Sequence, residues 1–225
     1  MLDIIKSDFF DKILFSYVDE KQKLELIRYN KKMQKKIDIS IINYKHFTGH
    51  YIIFEGKGKG KEYDEVDRLI YEGEYLNGKR NGKAKVYYGN NNLMFEGEFL
   101  NGLTNGKGKE YYENGNLLFE GEFYNGLKSG KGKLYDINSN LIFEGEYLNG
   151  VKNGKGKEYD EEGMLMFEGE YLNGEKNGQG KEYDENGVII FEGNYLNGEW
   201  NGKGKEYDEN YDLIFALKFH FIFIQ

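Results

Sequence analysis

From Phe47 onward the apolar and polar positions repeat with a fixed period of 24 residues, in units starting at Phe47, Tyr71, Phe95, Phe119, Phe143, Phe167 and Phe191. Positions 1 and 5 of every unit are Phe or Tyr, and position 17 is always Tyr, as in Tyr111, Tyr135 and Tyr159. Around positions 1 to 5 the pattern alternates, as in Leu141-Ile142-Phe143-Glu144-Gly145-Glu146-Tyr147. Strict alternation is the signature of a strand with one apolar and one polar face. A loop of the type Leu-Asn-Gly-x-x-Asn-Gly follows, then a second strand of the type Gly-Lys-Gly-Lys-Glu-Tyr. The next connection is close to Asp-Glu-Asn-Gly, with Asn-Gly supplying the positive φ of a tight turn. Each unit thus predicts one β-hairpin, and the array predicts an elongated, single-layer antiparallel meander of about fourteen strands, roughly 65 Å long at the usual strand spacing.

Within the unit, aromatic rings at positions 1 and 5 are expected to stack along the apolar face, with the intervening glycines making room for them. Glu at 2 and 4 should oppose Lys at 13 and 15 on the other face as a cross-strand charge ladder. Alternation places Tyr at 17 beside those lysines. That ring is nonetheless expected in the core, as at Tyr159, so the second strand is expected to carry a bulge or bend.

Outside the repeats the periodicity changes. Phe9, Phe10, Ile13, Leu14 and Tyr17 recur at helical spacing, with Ser7 or Asp8 available as N-cap. Asp19 and Gln22 resemble a capping box opening a second helix, whose stripe is Leu26, Tyr29, Met33 and Ile37. The expected organisation is a short α-helical segment over 1–46, seven repeats over 47–214, and a capping strand over 215–225. In that last stretch Phe215, Leu217, Phe219, Phe221 and Phe223 alternate with Ala216, Lys218, His220, Ile222 and Ile224.

The run Phe-Glu-Gly-Glu-Tyr-x-Asn-Gly-x-x-Asn-Gly-x-Gly resembles the MORN repeat, in particular its variant ending in Tyr-x-x-Asn-Gly. The unit here is 24 rather than 23 residues, and Phe or Tyr stands at position 5 where Trp is common. The resemblance implies a solenoid-like array of β-hairpins used in protein–protein assembly, and phospholipid binding has also been attributed to the family. Near the N-terminus, Asp11-Lys12-Ile13-Leu14-Phe15-Ser16-Tyr17-Val18-Asp19 and the helix that follows resemble an F-box without its usual Leu-Pro opening. That resemblance implies a ubiquitin-ligase adaptor of the Skp1 type as partner.

Composition narrows the function. All 31 glycines lie from Gly49 onward, and the charge divides at the same place. Residues 1–46 carry 10 Lys+Arg against 7 Asp+Glu, residues 47–225 carry 21 against 32, and the whole chain has a net charge of −8. Such an acidic array argues against nucleic acid as partner and disfavours anionic lipid surfaces. No leader-like start and no 18-residue apolar run is present, so a cytoplasmic protein is expected. With no cysteine there is no disulfide, thiolate metal site or Cys nucleophile. The run Gly73-Glu74-Tyr75-Leu76-Asn77-Gly78-Lys79 imitates a P-loop, but Arg80 stands where Mg²⁺ would need Ser or Thr. His46, His50 and His220 fall in no metal motif, and the carboxylates recur with the period, which singles out no acid–base pair. The expectation is a protein without catalytic residues, cofactor or metal.

Candidate binding residues are those that break the repeat while sparing the fold. Position 9 is Lys79, Glu175 and Glu199 in outer units but Leu103, Leu127 and Val151 in the three central ones, with Leu100, Tyr124 and Leu148 nearby at position 6. Adjacent hairpin loops would align these about 10 Å apart, and an exposed apolar row marks a partner site. Trp200, the only tryptophan, occupies position 10 on the same edge.

Overall fold

The computed structural model of the chain describes residues 50–56, 58–208, 210 and 212–218. The helical segment expected over 1–46, with its F-box-like stretch, lies outside these residues, as do His46 and His220. Among the described residues there are fifteen strands and no helix, and the strand order follows the chain as a meander without a crossover. Contacts divide the chain into two compact units, 1–93 and 94–225. The first contains β1 (His50–Gly56), β2 (Lys59–Asp64), β3 (Leu69–Leu76) and β4 (Lys79–Tyr87), paired antiparallel in sequence.

Residues 94–225 hold the more regular part. There β5 (Leu93–Leu100) and β6 (Leu103–Tyr111) form one hairpin, and β7 (Leu117–Tyr124) and β8 (Leu127–Tyr135) the next. They are followed by β9 (Leu141–Leu148) with β10 (Val151–Tyr159), then β11 (Leu165–Leu172) with β12 (Glu175–Tyr183). Last come β13 (Ile189–Leu196) with β14 (Glu199–Tyr207), and β15 (Leu213–Lys218). The expected C-terminal strand is present through Lys218, and residues 219–225 fall outside the described part.

The hairpin connection differs from the expected seven-residue loop. Leu100 pairs with Leu103 across Asn101 and Gly102, which have φ of 53° and 97°. Two successive positive φ values define a type I′ turn, whose twist matches that of the flanking strands. The second Asn-Gly is not a loop but a bulge. Gly97 pairs with Gly108 and Phe99 with Thr104, so Asn105, Gly106 and Lys107 all stand opposite Glu98. Gly106, with φ of 100°, absorbs the excess. In two hairpins the position-4 carboxylate accepts from the backbone there, Glu146 from Lys155 N–H at 3.4 Å and Glu170 from Gln179 N–H at 3.3 Å.

The second irregularity is also displaced from its expected place. Between hairpins Glu110 pairs with Phe119 and Tyr111 with Leu117, which makes Leu118 of β7 the extra residue. The second strand therefore keeps its alternation through position 17, and Tyr159 is not a core ring. It is half-buried on the polar face, and its hydroxyl donates to Glu144 Oε1 at 2.8 Å. Tyr111, Tyr135 and Tyr183 do the same to Glu96, Glu120 and Glu168.

The core is the aromatic face alone. Phe119, Phe143, Phe167 and Phe191 are at most 1% exposed. Phe95, Phe119, Phe143 and Phe167 each meet the position-5 ring of their own hairpin edge-on, as Phe143 meets Tyr147 at 5.5 Å, and that of the next, as it meets Tyr171 at 5.4 Å. Contacts of this kind contribute about 1 kcal/mol each beyond the area they bury. The ring lies over paired glycines: a Cβ on Gly156 would come 2.5 Å from Phe143 Cζ, and one on Gly145 would come 2.7 Å from Gly156 Cα. A single sheet can bury a phenylalanine completely because its floor has no side chains.

The first hairpin keeps the period but changes the register. Tyr51 pairs with Tyr63, Phe54 with Gly60 and Gly56 with Lys59, and Gly56 and Gly58 have positive φ. Phe54 meets Tyr75 edge-on at 5.4 Å, the contact a position-1 ring makes elsewhere.

Candidate functional site

On the aromatic face the period places an ion pair above the core that the sequence reading missed. Position 10 and position 16 both point to this side. Lys152 Nζ lies 2.5 Å from Glu158 Oε1 and 4.4 Å from the centroid of Phe143. Lys176 repeats the arrangement with Glu182 at 2.9 Å and Phe167 at 4.2 Å. Lys128 reaches back to Glu110 of the preceding hairpin at 3.0 Å, and Arg80 to Glu62 at 2.8 Å. Each cation therefore covers a ring and neutralises a carboxylate at once. The available signal was the joint occurrence of a cation at position 10 and Glu at position 16, in the same unit for Lys152 and Lys176 and in an earlier unit for Lys128 and Arg80.

Burial pushes the Tyr147 hydroxyl up to about 12. Tyr171 and Tyr195 are raised further, first by burial and then by the charges of Glu158 and Glu182. Tyr147 has no such neighbour, because the preceding unit carries Leu134 at position 16. Its buried hydroxyl has no hydrogen-bond partner among the described residues.

Trp200 belongs to this face. Its ring stacks on Phe191 at 4.2 Å and 1° between planes, where other hairpins place a cation. It is half-buried and stands apart from the three other candidate residues, which lie on the opposite face.

Those three come together as expected in position, although they are the first residues of strands rather than parts of a loop. Leu103, Leu127 and Val151 open β6, β8 and β10 and pair with Leu100, Tyr124 and Leu148 at the ends of β5, β7 and β9. They are 50%, 48% and 43% exposed, and their partners 50%, 61% and 50%. Leu172 and Leu196 continue the row, with Glu175 and Glu199 replacing the second apolar residue. The turns tie neighbouring hairpins of the row together. Gly126 N–H donates to Thr104 O at 2.9 Å, Gly150 N–H to Lys128 O at 2.9 Å and Gly174 N–H to Lys152 O at 2.8 Å, so each turn is fastened to the preceding hairpin. A Cβ on Gly126 would lie 3.6 Å from Leu103 Cδ2, and one on Gly150 3.8 Å from Leu127 Cδ2. The leucines thus lean against glycine turns and keep about half of their surface open.

Inward from the row on the same face, Glu at 4 and Lys at 13 are exposed and alternate from strand to strand. A shallow groove lined by Glu146, Asn153, Lys155, Glu170, Leu172 and Asn177 runs beside them. Further in, Lys at 15 joins Glu at 2 of the next hairpin, Lys109 to Glu120 at 3.4 Å and Lys157 to Glu168 at 3.7 Å. The P-loop-like run 73–79 is the end of β3, an Asn77-Gly78 turn and the start of β4. Among the described residues no three His, Asp or Glu side chains converge as a metal site would require.

Comparison with curated proteins yields no match. Two solved structures align with 72% of this chain at 12% identity. One is a mutant of S. aureus TarM in complex with fondaparinux, alpha-GlcNAc-glycerol and UDP, with a TM-score of 0.28 over 27% of that chain; the other is TarM, with 0.20 over 26%. The chain spans about a quarter of the length of these proteins, and at such scores the likeness bears on neither fold nor function here. The MORN repeat pattern, in contrast, matches residues 71–93, 95–117, 119–140, 143–164 and 191–213. The MORN repeat variant matches 176–197. These matches fall on the hairpins described above, and the chain belongs to the MORN repeat family.

Proposed function

We propose that this protein is a non-catalytic repeat scaffold that holds protein partners along the turn edge of its hairpins. The carrying observation is the row of paired apolar side chains at positions 6 and 9, about half exposed and repeating once per hairpin. An open apolar row on a hydrogen-bonded sheet has affinity to offer, and the alternating charges beside it set which partner fits. The aromatic face cannot serve in the same way. Its rings are fully buried and its lysines are paired with glutamates, so it holds the hairpins together.

The test is affinity purification with the full chain and with Leu103→Ser, Leu127→Ser and Val151→Ser combined. These residues are half exposed, so the triple variant should keep the parent circular dichroism and lose its partners. Partner recovery equal to the parent's would remove the turn edge as the binding surface.

A further inference from the structure

We infer that the partner of the turn-edge row is a second copy of this chain, joined face to face about a twofold axis between Lys131 and Glu146. This rests on the reading of the row as a binding surface and assigns its occupant. Two observations carry it.

The first is area. The eight apolar side chains of the row, from Leu100 to Leu196, leave 41% to 61% of their surface open. Together they expose on the order of 600–700 Å², at or above the largest patch of a typical monomer. That approaches the roughly 800 Å² per partner of a standard stable interface, before any contribution from the flanking charges.

The second is charge. In the stripe beside the row Lys107 is the strand neighbour of Glu122, Lys131 of Glu146, and Lys155 of Glu170. All six are exposed. An isologous contact must be complementary to itself, and a twofold axis across this stripe reverses its order. With the axis between Lys131 and Glu146, Lys131 meets Glu146 of the second copy, Glu122 meets Lys155, and Lys107 meets Glu170. The same operation lays Tyr124 and Leu127 on Leu148 and Val151. An axis through any one of these charged residues would instead set like charges against each other. The alternation therefore requires an axis midway between two strands, and only the one between Lys131 and Glu146 pairs all six of these residues with opposite charges; the three lysines and three glutamates give this stripe no net charge to repel the second copy.

The test is sedimentation velocity on the full chain from low to high micromolar concentration. The parent, Lys131→Glu, Glu146→Lys and the double variant are compared, with melting temperature followed separately. The expected result is a parent dimer, dissociation about tenfold easier in each single variant, and recovery in the double, because reversed charges face each other again across the axis. A change confined to the melting temperature would report only the strand-to-strand pair within one copy, and would overturn the proposal. So would a dimer that survives Leu103→Ser, Leu127→Ser and Val151→Ser, because the contact would then lie elsewhere. A parent that is monomeric throughout would also overturn it, while partner recovery and its loss in the triple serine variant would still uphold the row as a surface for a different protein.

Discussion

Phe143 and Tyr159 are both aromatic, both fixed by the repeat, and only one hairpin strand apart, yet they do different work. Phe143 is 1% exposed, lies on a floor of glycine backbone, and meets two other rings edge-on. Tyr159 is half-buried on the opposite face and serves as a hydrogen-bond donor to Glu144, whose other oxygen faces Lys133 at 3.7 Å. One face is held by packing that tolerates no added atom, the other by a lattice of hydroxyl, carboxylate and ammonium that water can enter. Whether a ring in this sheet is core is decided by the backbone beneath it, not by the ring.

Alkali tests both faces at once and should have the largest effect. Tyr147 on the aromatic face and Tyr135, Tyr159 and Tyr183 on the polar face are all pushed up to about 12, first by burial, and on the polar face also by bonds to glutamate. The unfolded chain ionises near pH 10. The folded state therefore retains more protons above that value, and its stability, intact below pH 10, falls as pH rises toward 12. Tyrosinate absorbance should appear together with the loss of β-sheet circular dichroism. Ionisation of these tyrosines in a still-folded chain would contradict their assigned surroundings.

Single substitutions then separate the faces. Phe143→Ala should cost about 4 kcal/mol in urea melts, the range of a buried phenylalanine deletion. Gly156→Ala should cost about 3 kcal/mol, because one methyl must displace the Phe143 ring; a loss below 1 kcal/mol would show that the glycine floor is dispensable. Smallest is a matched pair of hydroxyl deletions. Tyr159→Phe should cost about 1 kcal/mol through the lost bond to Glu144, whereas Tyr147→Phe should be neutral or slightly stabilising, since its hydroxyl is buried without a partner. Equal costs would erase the distinction.

The hairpin, its period and the edge carrying Leu103, Leu127 and Val151 were legible because each rests on local chemistry that recurs seven times. Register was not. Two Asn-Gly steps stand four residues apart in most units, and both supply positive φ. Only the pairing of Leu100 with Leu103 shows that the first is the turn and the second the bulge. That choice decides which way Lys152 points, so its contact with Glu158 above Phe143 was hidden as well. Tyr159 was misplaced for a simpler reason: a large ring suggested a core, although the alternation beside Lys155 and Lys157 already placed it on the polar face. Trp200 was grouped with the apolar row by its position in the unit, and its stack on Phe191 depends on the same unread register.

The bonds from the turn glycines Gly126, Gly150, Gly174 and Gly198 to backbone carbonyls of the hairpin before make the joint between hairpins a standard part. The acceptor at Thr104, Lys128, Lys152 or Lys176 is main chain, so the joint is indifferent to which side chains it connects. Remove one 24-residue unit, and the next turn finds an equivalent carbonyl waiting on the hairpin before the gap. Gene duplication or loss can then lengthen or shorten the row in steps of about 10 Å with this main-chain joint unchanged, and the number of repeats becomes a heritable setting for the length of the row.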